Sequence, residues 1–211
     1  MNKINEDITI VTVLYDSSEL INDLLKNLIN FKVIIVDNGN NEQILKNLLE
    51  FKNIKVISQK KNLGYGKAIN FAFKYVKSKY FFVLNPDLVI SEKSIYSLYN
   101  FITKNPNAGI VAPITEPDED FYGLFPEKST KKITGPNEIR CKNLLKNSKI
   151  DGEICVEVAK GCALLLNSEH FEKVGKFDER YFLFWEEIDL CRRFRSEKHS
   201  VIISPSSLAI H

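Results

Sequence analysis

Over its first half the chain switches repeatedly between two hydrophobic periods, and no other feature of the sequence limits the fold as much. Ile8 to Leu14 is a short β-branched run of strand length. Leu20, Leu24, Leu25 and Leu28 then recur at helical spacing, with Ser17 or Ser18 placed to cap that helix. Val33-Ile34-Ile35-Val36 is a second strand and stops at Asp37-Asn38-Gly39, a turn signal. A helical stripe at Ile44, Leu45, Leu48 and Leu49 leads to a third strand, Ile54-Lys55-Val56-Ile57. Helical spacing returns at Ala68, Ile69, Ala72, Phe73 and Val76, ahead of the strand Tyr80 to Leu84. Ile95, Leu98, Tyr99 and Ile102 mark another helix, and Gly109 to Ala112 a fifth strand. Strands alternating with helices across short loops specify right-handed βαβ units, hence an α/β protein with a mostly parallel, doubly wound sheet.

The rhythm stops after Pro113. Residues 115–150 are rich in Pro, Gly, Lys, Asn and Glu, and are expected to form a long mobile loop over the site. Regular patterning resumes with strands at Glu153 to Val158 and Cys162 to Asn167, then a short helix from Glu169 to Val174. A helix from Glu186 to Arg195 and a last strand, Val201 to Ser204, complete the reading. The expected organisation is one domain over residues 1–211: one half to 113, a loop region over 114–150, and a second half from 151.

A chain of 211 residues with 44% hydrophobic content can bury a full core. Its 29 basic and 27 acidic residues leave a net charge of +2, so nothing in the balance calls for nucleic acid. Basic residues thicken locally at Lys128, Lys131, Lys132, Arg140, Lys142, Lys146 and Lys149. That cluster reads either as a solvated loop face or as a patch for phosphate or membrane. Cys141, Cys155, Cys162 and Cys191 form no Cys-x-x-Cys pair, which favours small thiols in a reducing compartment over zinc or disulfides. The polar N-terminus carries no apolar signal region, and the longest apolar runs are far shorter than a membrane span. A cytoplasmic protein is expected, with a peripheral contact at the inner face of the membrane left open.

The chemistry-bearing residues sit where strands end and helices begin. Tyr80-Phe81-Phe82-Val83-Leu84-Asn85-Pro86-Asp87 is an apolar strand that stops at a carboxylate, and Asp37 closes the second strand. Parallel strands end on one edge, where open α/β sheets place their ligands, so Asp37 and Asp87 are expected to share a cleft. Either acid also fits a simple turn, Asp37 through an Asx turn over Asn38-Gly39. Glu186 and Glu187 open the late helix after the apolar run Tyr181-Phe182-Leu183-Phe184-Trp185. Acids favour a first helical turn for structural reasons, but an apolar wall beside a carboxylate also raises its pKa toward general-base work. Asp189 and Arg193, four apart, read as a salt bridge on the helix surface. Asn62 to Asn70 carries glycines into a helix start, without the third small residue of a dinucleotide fingerprint or a P-loop ending. Lys67 beside that helix start is a reasonable place for a phosphate.

In order along the chain, these segments resemble a family 2 glycosyltransferase with the GT-A fold, in its rhamnosyltransferase-like branch. Val11-Thr12-Val13-Leu14-Tyr15-Asp16 resembles the family's opening strand and loop, with Asp16 where Asn is commoner. Val36-Asp37-Asn38-Gly39, Asn62-Leu63-Gly64 through Asn70, and Leu84-Asn85-Pro86-Asp87 resemble its base-contacting, helix-start and metal segments. Gly161-Cys162-Ala163, Gly175-Lys176-Phe177-Asp178-Glu179 and Phe184 to Leu190 resemble its acceptor and catalytic region, with Glu187 where Asp is common.

The resemblance implies a mostly parallel sheet with a small mixed second sheet. It implies binding of a nucleoside-diphosphate sugar, UDP- or dTDP-linked, by Thr12, Leu14, Tyr15, Asp37, Asn62, Gly64, Lys67, Asn85 and Asp87. Mg2+ or Mn2+ would be held by Asp87 and His211, and inverting transfer to a saccharide or lipid-linked saccharide hydroxyl would use Glu187 as base, with Glu186 orienting the acceptor. Surface polysaccharide or glycolipid synthesis is the expected setting. A sugar-phosphate nucleotidyltransferase would show a glycine-rich basic loop after the first strand, which Leu14-Tyr15-Asp16-Ser17-Ser18 lacks. A non-catalytic nucleotide-sugar-binding domain of the same fold is the remaining alternative.

Overall fold

The computed structural model describes residues 3–16, 20–26, 28–39, 48, 51–116, 120–122, 138–140 and 152–210. Its elements run α1 (Lys3–Asp7), β1 (Ile8–Leu14), α2 (Ile21–Lys26), β2 (Lys32–Asp37), β3 (Ile54–Ser58), α3 (Tyr65–Phe73) and β4 (Tyr80–Leu84). They continue with β5 (Val89–Ile90), α4 (Glu92–Lys104), β6 (Ala108–Glu116), β7 (Asp120–Tyr122), β8 (Glu138–Arg140) and β9 (Ile154–Cys155). Strand β10 (Ala163–Asn167), α5 (Ser168–Lys173), α6 (Glu186–Ser196) and β11 (Ser200–Ile210) complete the described chain.

The main sheet has the order β3-β2-β1-β4-β10-β6-β11-β5, with β9 also on β11. Strands β3, β2, β1 and β4 are parallel neighbours, as the alternating periods require. Strand β10 enters antiparallel between β4 and β6, and β11 runs parallel to β6. The second sheet is the antiparallel pair β7–β8.

Both faces of the main sheet are covered, which explains why its strands read as continuous apolar runs. Ile8, Ile10, Leu14, Val33, Ile35, Phe82 and Leu84 pack on one side with Leu24, Ile95, Leu98 and Ile102. The alternate residues Val11, Ile34, Val36, Phe81 and Val83 pack on the other side with Ala68, Ile69, Phe171, Leu190 and Phe194. All five residues of β4 are buried. Burying each Phe or Leu there stabilises by about 1.5–3 kcal/mol. Helix α4 begins at Ser91, whose hydroxyl accepts from Ser94 N at 3.1 Å.

Several elements depart from the sequence reading, among them the strand expected at Glu153 to Val158, which is only Ile154–Cys155. The five-residue α1 and the two-residue β5 are too short to show a period. Strand β11 continues to Ile210 instead of stopping at Ser204, because a register shift between Ser204 and Leu208 absorbs the Pro-Ser-Ser segment that reads as a turn. The proposed caps Ser17 and Ser18 lie outside the described residues, as does the stripe at Ile44, Leu45 and Leu49, and most of 115–150. The described pieces of that loop are the end of β6 and the strands β7 and β8.

Candidate active site

One edge of the sheet collects the ends of β1, β2, β3 and β4. Leu14 pairs with Asp37, and Asp37 with Ser58, so three successive strands finish level with one another. Asp37 is only 1% exposed. Its Oδ1 accepts from Gly39 N at 3.2 Å and its Oδ2 from Ser58 Oγ at 3.1 Å. The Asx turn is therefore real, and it holds the carboxylate in place through β3 as well.

Asn38, in the turn that closes β2, joins two loops. Its Nδ2 donates to Asn62 Oδ1 at 2.7 Å, and its Oδ1 accepts from Leu63 N at 2.9 Å. Asn62 Oδ1 also accepts from Gly64 N at 2.8 Å. Asn62 and Gly64 thus form one unit with the Asp37 turn.

The opening strand divides differently from its sequence reading. Thr12 and Leu14 are buried, and Leu14 belongs to the core on the α4 side of the sheet. The Leu14 carbonyl accepts from Asn38 N at 2.8 Å. Thr12 Oγ1 is buried without a hydrogen-bond partner. These two side chains stand in the floor of the sheet, beneath the strand ends. The alternation of β1 dictates it, since both share a face with Ile10. Tyr15 is exposed, at the mouth of the edge.

The start of α3 is also more occupied than a phosphate cradle would be. Gly64 has φ 81°, and a Cβ there would meet the Phe182 carbonyl oxygen at 2.3 Å. Tyr65 N donates to that same carbonyl at 3.0 Å. Lys67 is held by Glu179 at 2.9 Å. Asn70 fastens the far side, donating to Phe177 O at 2.8 Å and accepting from Phe177 N at 3.0 Å. The start of α3, where a phosphate is expected beside Lys67, is also where the 177–182 segment docks, with one first-turn amide and the lysine engaged there.

After β4 the chain turns through Asn85, whose N–H donates to Cys162 O at 2.8 Å. The Tyr65 hydroxyl lies 2.9 Å from both Asn85 Oδ1 and Gly161 O. Burial, then Cys162, Glu186, Glu187 and Asp87, push this hydroxyl well above the usual 10.0. One phenol thus senses the acid that ends β4 and the two acids that open α6. Asp87 itself is exposed. Strand β11 pairs with β5 just beyond it, Ala209 with Ile90 and Ile210 with Val89. His211 lies outside the described residues.

Helix α6 brings Glu186 and Glu187 to the same region. Burial raises both carboxyls above the usual 4.5, and Glu187 adds to the effect on Glu186. Glu186 is the deeper of the two, 4% exposed, with Oε2 lacking a hydrogen-bond partner. Glu187 is half-buried against the Gly161 loop, where a Cβ on Gly161 would meet Glu187 Cβ at 3.2 Å. Both acids lie in the first turn, where the preceding backbone also decides burial. The apolar run does not wall these acids in, for Tyr181 to Trp185 are all exposed. Asp189 is engaged by Arg193 at 2.7 Å, as the spacing predicts, and Arg193 Nη1 donates to Val174 O at 2.6 Å.

Residues 9–171 match the profile described as Glycosyl transferase family 2. The chain belongs to that family. This family 2 chain is 27% identical over 201 residues to the low-salt glycan biosynthesis hexosyltransferase Agl10 of Haloferax volcanii, covering 93% of this chain and 64% of that protein. It is 25% identical to the N-acetylglucosaminyl-diphospho-decaprenol L-rhamnosyltransferase of Mycobacterium tuberculosis, covering 85% and 66%. The chain thus spans about two thirds of the length of these curated relatives. Among solved structures it is similar to GalNAc-T7 with UDP, GalNAc and Mn2+, at TM-score 0.73 and 15% identity, covering 97% of this chain and 43% of that one. It is equally similar to the Pyrobaculum calidifontis mannosyltransferase PcManGT with GDP-Man and Mn2+, at TM-score 0.73 and 13% identity, covering 97% and 56%. The fold of the family 2 chain is of the GT-A type.

Asn38, Tyr65 and Gly161 of this family 2 site fall within segments that the sequence reading singled out, but none of them was given a role of its own there.

Proposed function

We propose that this chain is the catalytic domain of an inverting glycosyltransferase that uses a UDP- or dTDP-linked sugar and a hydroxyl acceptor. The observation that carries the reading is the Tyr65 hydroxyl, 2.9 Å from both Asn85 Oδ1 and the Gly161 carbonyl, which joins the turn that leads to Asp87 to the loop packed on Glu187. Strand-end and helix-start acids meet there, as a reaction with a leaving diphosphate and an attacking hydroxyl requires. The fold and relatives of the chain support the same reaction class.

The donor would lie along the strand ends, its base beside Tyr15 and Asp37 and its diphosphate toward Asn85 and Asp87. Thr12, Leu14, Asn62 and Gly64 would act from beneath, as the floor and the tied loops. Lys67 would reach a phosphate only by releasing Glu179. The donor set fits Mg2+ or Mn2+ held largely by substrate: among the described residues no group of three or more His, Cys, Asp or Glu is arranged for a metal. Asp87, with diphosphate oxygens, matches how such ions bind, and His211 would add an imidazole. The Ile210–Val89 pair supports that assignment by bringing β11 beside the Asp87 turn. The ion would neutralise charge on the leaving diphosphate.

Glu187, reachable beside Gly161, would take the acceptor proton as the acceptor oxygen bonds to the anomeric carbon. The bond from that carbon to the diphosphate oxygen breaks on the opposite face, and its electron pair leaves with the nucleoside diphosphate. A carboxyl raised toward neutrality is the better base for a hydroxyl. Glu186, buried behind, would orient Glu187 and the acceptor. A saccharide or lipid-linked saccharide is the acceptor class, and glycan synthesis in the cytoplasm, where such donors are made, is the setting.

The deciding experiment is release of nucleoside diphosphate over a panel of donors with Mn2+, with and without saccharide acceptors. Acceptor-stimulated release from a UDP- or dTDP-sugar is expected. Donor binding without release under every acceptor would leave only a binding domain.

A further inference from the structure

Strand β11 makes a detour that pairing with β6 alone does not require. Ser204 pairs with Pro113 and Leu208 with Ile114, so Pro205, Ser206 and Ser207 are looped out opposite adjacent residues of β6. Looping out an odd number of residues reverses the face that each later side chain takes. Ala209 is thereby buried in the core on the α4 side, while Leu208 and Ile210 are exposed. Bulges that re-aim a strand are over-represented beside active sites. Here the re-aimed end pairs with β5, Ala209 with Ile90 and Ile210 with Val89.

The detour is fastened to α4 at Ser94, which is buried. Ser94 Oγ accepts from Leu208 N at 3.3 Å, and the Ser94 carbonyl accepts from Ser207 Oγ at 3.1 Å. Ser207 is itself fully buried. The same Ser94 Oγ accepts from Ser91 Oγ at 3.1 Å, and Ser91 directly follows β5. Helix α4 does not need this hydroxyl for its cap, because the cap bond uses Ser94 N. One hydroxyl therefore touches the exit of β5 and the start of the β11 stretch that pairs with β5.

We propose that Ser94 is a positioning residue for Asp87, an inference that rests on the donor-site reading above. Asp87 is exposed, and an exposed side chain takes its place from the backbone that carries it. That backbone is held on both sides. Asn85 N donates to Cys162 O at 2.8 Å before Asp87, and Val89 pairs with Ile210 after it. The second hold exists only in the shifted register of β11, and Ser94 grips that register where the shift ends. Removing a group that orients a metal ligand typically weakens metal binding by about 10–100-fold.

Calorimetry of UDP and of dTDP binding to the full chain, with and without Mn2+ and well below the melting temperature, tests this. The ratio of the two dissociation constants reads the contribution of the metal alone. Ser94→Ala should cut that ratio about tenfold and leave metal-free nucleotide affinity unchanged. Ser97→Ala removes a hydroxyl one turn along α4, where it meets Ser206 at 2.8 Å, and should keep the ratio. In an Asp87→Ala background, Ser94→Ala should have no further effect, because both changes act on one group. An unchanged ratio in Ser94→Ala, an equal fall in Ser97→Ala, or a further fall in the double variant would each overturn the proposal. A parent protein whose affinity for neither nucleotide responds to Mn2+ would defeat the donor-site reading and the positioning role together. A response equal in parent and Ser94→Ala defeats the positioning role alone.

Discussion

The Tyr65 hydroxyl stands 2.9 Å from Asn85 Oδ1 and 2.9 Å from the Gly161 carbonyl, linking the turn after β4 to the loop that flanks Glu187. Tyr65→Phe removes this link and leaves two acceptors without their donor. A net loss of about 1–2 kcal/mol is expected, or roughly 2–8 °C in the melting temperature. Nucleotide-dependent stabilisation should shrink as well, because Asn85 loses its orientation. A Tyr65→Phe protein with unchanged melting and unchanged nucleotide response would show the link to be incidental.

Asp87→Ala tests the donor side. A ligand at a hundred times its dissociation constant stabilises by about 2.7 kcal/mol, or roughly 5–10 °C in a chain of this size. That Mn2+-dependent shift with UDP or dTDP should appear in the parent and vanish in Asp87→Ala. Equal shifts in both proteins would remove Asp87 from the donor site.

Glu187→Gln should bind donor normally and lose about 10²–10⁴-fold in transfer. Asp189→Asn should instead weaken the Arg193 contact, at a stability cost on the order of 1 kcal/mol, with transfer largely kept. If Glu186→Gln is inactive while Glu187→Gln turns over, the roles of the two acids are exchanged.

Gly64→Ala meets two obstacles at once, a left-handed backbone and the Phe182 carbonyl. The backbone alone costs about 1–2 kcal/mol, and the clash must also displace the 182 segment. Its melting temperature should therefore fall further than that of Gly152→Ala, where a Cβ meets nothing within 4 Å despite φ 115°.

His170 and His199 stack at 3.8 Å between ring centres, far from the strand-end acids in sequence. Burial first lowers both below the usual 6.5; Lys173 and the neighbouring imidazole add to this, while Glu169 and Glu197 oppose it. With folded pKa values below the unfolded value, the unfolded chain binds more protons as pH falls through 6.5. Stability from this pair is thus complete above 6.5 and lost below it. Urea unfolding from pH 8 to 5 should show that decline, and His170→Phe should lessen it.

Much of this was legible in the residues. The period switches located β1 to β4, α3, α4 and α6, because each buries a face long enough to repeat. The acids Asp37, Asp87, Glu186 and Glu187 were found because strands and helices end at them. What stayed hidden depends on contacts distant in sequence. Nothing local in Asn38 announces Asn62, and nothing in Tyr65 announces Gly161. Pro205 concealed the continuation of β11, since its register shift needs β6 beside it. The depth of Glu186 depended on how the chain enters α6, which a helical wheel omits.

Strand β10 lies between β4 and β6, yet it is made after both. A nascent chain that has completed β1 to β4 therefore carries Tyr80-Phe81-Phe82-Val83-Leu84 with one hydrogen-bonding edge open until residues 163–167 leave the ribosome. Fragments ending before β10 should aggregate during expression, and β6 keeps its second edge open longer still, until β11 is made.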